Sequence, residues 1–180
     1  DVLSGEVELL RTDMFYDSGV ALNPVIDIGQ IEGSFVQGMG CLLTEELVRS
    51  PNDRRLVNNG TWDYKVPCPL DVPQTFNVSL MPNDINTAQG AVQGSKASGE
   101  PAYLLGAAAF FAVKMAIYAA RAEANVPNPN GYFELQAPAT PARVREACLV
   151  SLGERAATAG ALVTTVTMGP PVRSGAKPAQ

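Results

Sequence analysis

No histidine occurs among the 180 residues. Its absence removes Ser-His-Asp and Cys-His nucleophilic arrangements and leaves carboxylates, lysines and tyrosines as the acid–base groups. Cysteine is scarce. Cys41, Cys68 and Cys148 are odd in number, widely separated and include no C-x-x-C pair, so neither a zinc site nor an iron–sulfur cluster is encoded in this stretch. Buried free thiols in a reducing, cytoplasmic compartment are the expectation. There is no run of lysine or arginine, and the formal net charge is −5. That balance speaks against a nucleic-acid surface or an anionic membrane as partner. Apolar runs are short as well. The longest, Tyr103 to Val113, stops at Lys114 and falls below the roughly 20 residues of a bilayer span, so a soluble chain is expected.

Apolar residues make up 46% of the chain, enough for a core. The patterning predicts an α+β fold with two long helices, short strands and long loops. A strand is expected over Glu6 to Asp13, extending toward Tyr16, where Val7 and Leu9 alternate with polar residues. A helix beginning near Asp27 presents Ile28, Ile31, Phe35, Met39 and Leu42 at spacings of three and four, one apolar stripe. Gly29, Gly33, Gly38 and Gly40 interrupt it. Each costs roughly 0.8–1 kcal/mol against alanine, so either a tight helix crossing or the approach of a cofactor must compensate. Gln30 and Gln37 lie seven apart on one face of that helix. Thr61 to Val66 reads as a short extended piece with Trp62 and Tyr64 as packing anchors, and Thr75 to Leu80 alternates like a strand. Pro127 to Gly131 is a break, Tyr132 to Leu135 a short strand, and Ala142 to Val150 a short helix with Pro141 in its first turn. Residues 1–150 thus form one folded region, and residues 151–180, dominated by Ala, Gly, Thr, Val and Pro, a poorly ordered tail.

The most informative stretch is Ala91 to Pro101, A-V-Q-G-S-K-A-S-G-E-P. Proline suits the first helical position, which puts Glu100 at or beside the N-cap of a helix running from Tyr103 to Ala124 and apolar on nearly every face. Gly94, Ser95, Ser98 and Gly99 ahead of it are small enough for close backbone approach. Glu100 is therefore either a dipole-stabilising carboxylate, worth roughly 0.3–1 kcal/mol, or a base at the lip of a rigid element. Gly90 to Lys96 only imitates a phosphate loop, because serine stands where glycine must precede lysine, and no apolar strand leads into it.

A second segment, Asn23-Pro-Val-Ile-Asp-Ile-Gly-Gln-Ile-Glu-Gly-Ser-Phe-Val-Gln-Gly-Met-Gly40, adds to this. With Leu10-Arg-Thr-Asp, Gly60-Thr-Trp-Asp-Tyr-Lys-Val-Pro67, Ser95 to Pro101 and Pro138-Ala-Thr-Pro-Ala-Arg143, it resembles the carboxy-terminal molybdenum-cofactor region of the xanthine dehydrogenase and aldehyde oxidase family, in the family's order. The resemblance runs over residues 5–150. It implies part of a molybdopterin-binding domain in a chain several times longer, hence a carboxy-terminal fragment or a truncated gene product. It implies a molybdenum–molybdopterin cofactor contacted by Gln30 and Gly99, with FAD and 2Fe-2S clusters only in domains upstream. Glu100 matches the family's general base, which takes the proton from a molybdenum-bound hydroxyl while an aldehyde or N-heterocycle is oxidised with oxygen from water. The remaining domains of the enzyme and a second copy in a homodimer are the implied partners. Lys96-Ala-Ser-Gly-Glu100 leans toward the aldehyde oxidases. Two readings stand beside this one, a noncatalytic pterin-binding or packing module and a free-standing α+β binding module with its own core.

Overall fold

The computed structural model describes residues 1–82 and 92–150; the expected disorder of 151–180 and Gly90 of the glycine-rich loop lie outside the described residues. Strand β1 (Arg11–Tyr16) pairs in parallel with β2 (Thr75–Leu80), Arg11 opposite Thr75 and Tyr16 opposite Leu80. The long connection between them carries helix α1 (Pro24–Leu43), as a parallel pair requires. Helices α2 (Gly99–Leu105), α3 (Ala107–Glu123) and α4 (Pro141–Cys148) follow. Mixed helices and a small sheet agree with the α+β expectation.

Strand β1 begins later than expected. Val7 and Leu9 do pack against the core, but the partner strand runs out: Pro73 has no N–H to donate, and pairing ends with Gln74 N–H on Leu9 O (3.3 Å) and Thr75 N–H on Leu10 O (3.0 Å). Helix α1 starts three residues before Asp27, because Asn23 caps it, its Oδ1 accepting from Val25 N–H at 3.2 Å, and Pro24 occupies the first turn. The predicted stripe is present: Ile31, Phe35 and Met39 are buried, and Phe35 meets Phe76 of β2 edge to face at 5.5 Å.

The expected single helix from Tyr103 is two. Its first segment starts at Gly99, so Ser98 is the N-cap, Glu100 lies inside the first turn and Pro101 is third rather than first; an N–H is dispensable there too. The break falls at Gly106, whose N–H turns back to Tyr103 O at 3.1 Å. Nor is this pair buried on most sides. Ala109, Val113, Ile117 and Ala120 form the buried stripe of α3, while Leu104, Phe111 and Met115 are exposed. Taken together, Gly99–Glu123 is long and apolar enough to cross a membrane by length and composition, which corrects the expectation drawn from Tyr103 to Val113 alone; here it packs against α1 and α4.

Other expectations fail locally. Gly60 to Tyr64 is a turn, with Asp63 and Tyr64 N–H both on Gly60 O. Trp62 is 87% exposed and anchors nothing, whereas Tyr64 is half-buried and donates to Glu45 Oε2 at 2.6 Å. Tyr132 to Leu135 forms no strand; its rings serve cations instead, Arg121 lying 3.9 Å from the Phe133 centroid and donating to Ala147 O of α4 at 2.7 Å. Only Cys148 is a buried thiol. Cys41 and Cys68 are exposed, Cys41 because it lies on the outer face of α1, where it bonds Tyr103.

Candidate functional site

The site is built where α1 and α2 lie side by side. Gly38 and Gly106 permit the close approach: a Cβ at Gly38 would sit 2.0 Å from Tyr103 O, and one at Gly106 would sit 2.5 Å from the Gly38 carbonyl carbon. Backbone thus packs on backbone, which only glycine allows. The same packing brings Gly99 against α1. A Cβ at Gly99 would lie 3.0 Å from Ser34 Oγ and 4.0 Å from Gln30 Oε1, so of the three positions singled out in the sequence Gly99 lies beside Gln30, and Glu100 follows Gly99 in the chain. Gln30 and Glu100 are both exposed there.

Of the four glycines in α1, Gly38 and Gly40 serve packing, the latter beneath Pro67 and Glu45; Gly29 and Gly33 do not, since a Cβ at either meets nothing within 4 Å. At 100° per residue, Gly29, Gln30, Gly33 and Gln37 share the face opposite Ile31 and Phe35, and all four are exposed. Gln37 is thus not a core residue among the described residues.

The loop ahead of Glu100 is tied to the end of β1. Tyr16, buried, donates its hydroxyl to Ser98 O at 2.8 Å. Lys96 Nζ pairs with Asp17, Lys96 N–H bonds Ser18 O at 3.0 Å, and Val20 N–H bonds Gly94 O at 2.8 Å. Gly19, at φ 75°, bridges Ser95. Burial above all pushes the Tyr16 hydroxyl up; the Ala102 N–H partly offsets this and the charge of Glu100 adds to it. The hydrogen bond from Lys96, then that from Gly19 N–H, holds the Asp17 carboxyl below its ordinary range. Sequence reasoning missed Tyr16, Asp17 and Ser34, because each meets the loop or turn around Glu100 through a partner distant in the chain.

Residues 1–73 match the molybdopterin cofactor-binding domain family. The chain is 47% identical over 149 residues to a xanthine dehydrogenase/oxidase of Gallus gallus, covering 83% of this chain and 10% of that protein. It is 44% identical over 158 residues to probable aldehyde oxidase 3 of Oryza sativa subsp. japonica, covering 86% and 11%. The chain belongs to the molybdenum hydroxylase family. Quinoline 2-oxidoreductase from Pseudomonas putida 86 shares the fold, with a TM-score of 0.57 and 30% identity over 76% of this chain and 16% of that one. The chain spans about a tenth of the length of the curated relatives it matches.

The residues present fit a pterin cofactor. Gly29 and Gly33 leave one helix face bare where the chain's own described packing does not require it, while Gly99 closes the adjoining turn against Ser34 Oγ of α1. Beside them the Gln30 amide can donate and accept at once, as a heterocycle edge with mixed donors and acceptors demands.

Proposed function

We propose that this chain is the carboxy-terminal part of the cofactor domain of a molybdenum hydroxylase that oxidises an aldehyde or an N-heterocycle with oxygen from water, with Glu100 as general base. The observation that carries the reading is the packing of Gly99, the residue before exposed Glu100, against α1 beside Gln30, next to the face that Gly29 and Gly33 leave bare. When bound, the molybdenum cofactor supplies the redox chemistry and makes water acidic enough to be activated near neutral pH. Gln30 holds the pterin edge through its amide, Gly29 and Gly33 let it come close, and Gly99 seats the turn of Glu100 on α1 next to it. The Glu100 carboxylate oxygen takes up the proton released as the substrate carbon is attacked, a positioned transfer typically worth about 10²–10⁴-fold.

Identities of 46–49% to the xanthine dehydrogenases and 42–44% to the aldehyde oxidases lie too close to support the lean of Lys96-Ala-Ser-Gly-Glu100 toward the latter, so the proposal stays with the shared reaction. Exposed Leu104, Phe111 and Met115 on α2 and α3 speak against a free-standing binding module and for partner domains of the same enzyme, among them those carrying FAD and 2Fe-2S clusters. We expect the isolated 180 residues to be inactive, the whole enzyme to be a cytoplasmic homodimer, and neither nucleic acid nor membrane to be a partner. The test is oxidation of an N-heterocycle by the whole enzyme in water enriched in heavy oxygen: label in the product is expected, and oxygen drawn only from dioxygen overturns the proposal.

A further inference from the structure

The turn that presents Glu100 cannot hold itself. Helix α2 has seven residues, and its N-cap Ser98 makes no side-chain capping bond. A helix this short draws its stability from tertiary contacts. Helix α1 packs on α2 through Gly38 and Gly106, and the loop ahead of α2 is held by a further segment, Tyr16 to Val20, which leaves β1 and runs antiparallel to Gly94 to Ser98. Tyr16 is the end of the strand. Its carbonyl accepts from Met81 N–H at 2.8 Å, its ring is 6% exposed, and its hydroxyl bonds Ser98 O at 2.8 Å with Ala97 O at 3.4 Å. One side chain therefore joins the sheet to the backbone two residues ahead of Glu100. One residue further on, Asp17 takes the Lys96 ammonium, and its other oxygen accepts from Gly19 N–H at 3.0 Å. Gly19 approaches so closely that a Cβ there would lie 2.2 Å from Gly94 O.

We infer that Tyr16 and the Asp17–Lys96 ion pair are positioning residues for Glu100, a latch that fixes the base by holding the loop before α2 against the end of β1. The inference rests on the reading of Glu100 as the base. None of the three touches the reacting atoms through any contact seen here; they act by fixing where the first turn of α2 begins. Positioning matters because displacement of a catalytic group by about 1 Å costs on the order of 100-fold in rate. Tyr16→Phe is the sparing probe, since it keeps the buried ring and deletes only the oxygen that grips Ser98. The ion pair is the second grip, and being about one-third exposed on each side it contributes less through stability than through geometry.

The experiment uses the whole enzyme carrying its molybdenum cofactor, with rates normalised to molybdenum content. Tyr16→Phe is expected to lower kcat by about 10-fold while leaving KM within about twofold. Hydrogen exchange is expected to quicken in residues 92–102 and to stay unchanged in the strands 11–16 and 75–80. Asp17→Asn should give the same pattern more weakly, and the exchanged pair Asp17→Lys with Lys96→Asp should recover part of the loss. Wild-type kcat and exchange in Tyr16→Phe overturn the proposal. So does faster exchange spread evenly over both strands, which marks Tyr16 as ordinary core. Glu100→Gln is measured alongside. If it turns over normally, the base reading fails and the link to catalysis with it, while a local change of exchange in Tyr16→Phe still identifies Tyr16 as the anchor of the loop.

Discussion

Replacing Gly38 by alanine tests whether the α1–α2 crossing positions the base. Alanine is the better helix former by about 0.8–1 kcal/mol, so on propensity alone the change stabilises. The crossing opposes it. The new Cβ would lie 2.0 Å from Tyr103 O, 2.9 Å from Tyr103 C and 3.2 Å from Tyr103 Cα, all backbone, so α2 must withdraw by about 1.4 Å to reach the 3.4 Å of ordinary contact. Neither flank gives way easily, since Gly106 packs against the same turn of α1. Overpacking of this kind costs about 1–3 kcal/mol, leaving a net destabilisation of roughly 0–2 kcal/mol after the propensity gain. The effect on turnover should be larger, because Tyr103 and Glu100 sit one turn apart on the same short helix. A shift near 1 Å at the base corresponds to a loss of about 100-fold in kcat. Thermal melting of the whole enzyme and kcat per molybdenum are the two readings. A protein that still folds yet turns over about two orders of magnitude more slowly fits the reasoning. Unchanged melting with unchanged kcat refutes it.

Gly33→Ala should behave in the opposite way: with nothing within 4 Å of the new methyl it stabilises the cofactor-free protein by up to about 1 kcal/mol, while pterin retention after gel filtration falls. Ile31→Ala, at a fully buried position, should lower stability by about 2–5 kcal/mol in urea denaturation. Acid sensitivity follows from two carboxyls. The guanidinium of Arg11, then the Asn77 amide, hold Asp13 at about 2, and Lys96 lowers Asp17. Folded values below the ordinary 3.9 or so mean that this stability is complete above that pH and is lost as pH falls toward about 2. Asp13→Asn should therefore flatten the dependence of the urea midpoint on pH between about 5 and 2. A midpoint that falls as steeply in the variant as in the wild type contradicts that assignment.

Much of this architecture is legible in local pattern. The stripe of Ile31, Phe35 and Met39, the alternation over Thr75 to Leu80 and the proline-led final helix need only periodicity and turn chemistry, which the sequence carries within a dozen residues. The start of α1 lies ahead of its apolar stripe, because the Asn23 cap and Pro24 in the first turn, not the first apolar contact, set that boundary. What pattern cannot carry is the partner. Trp62 looks like an anchor until nothing described covers it, and Cys41 looks core-bound until the helix phase turns it outward. The division of labour among the α1 glycines was equally hidden: Gly33 and Gly38 interrupt the same helix five residues apart, yet one faces open space and the other faces Tyr103 backbone. Glu100 was legible through its motif. The latch was not, because Tyr16 and Ser98 are 82 positions apart and neither residue type advertises the bond.

Turnover of Glu100→Gln in the whole enzyme, at molybdenum content matched to wild type, bears most directly on the central claim. The amide keeps the size and the hydrogen-bonding reach of the side chain and removes only its capacity to take a proton. A variant that holds its cofactor and loses at least about 100-fold in kcat is the result predicted; a molybdenum-replete variant with normal kcat would contradict the account.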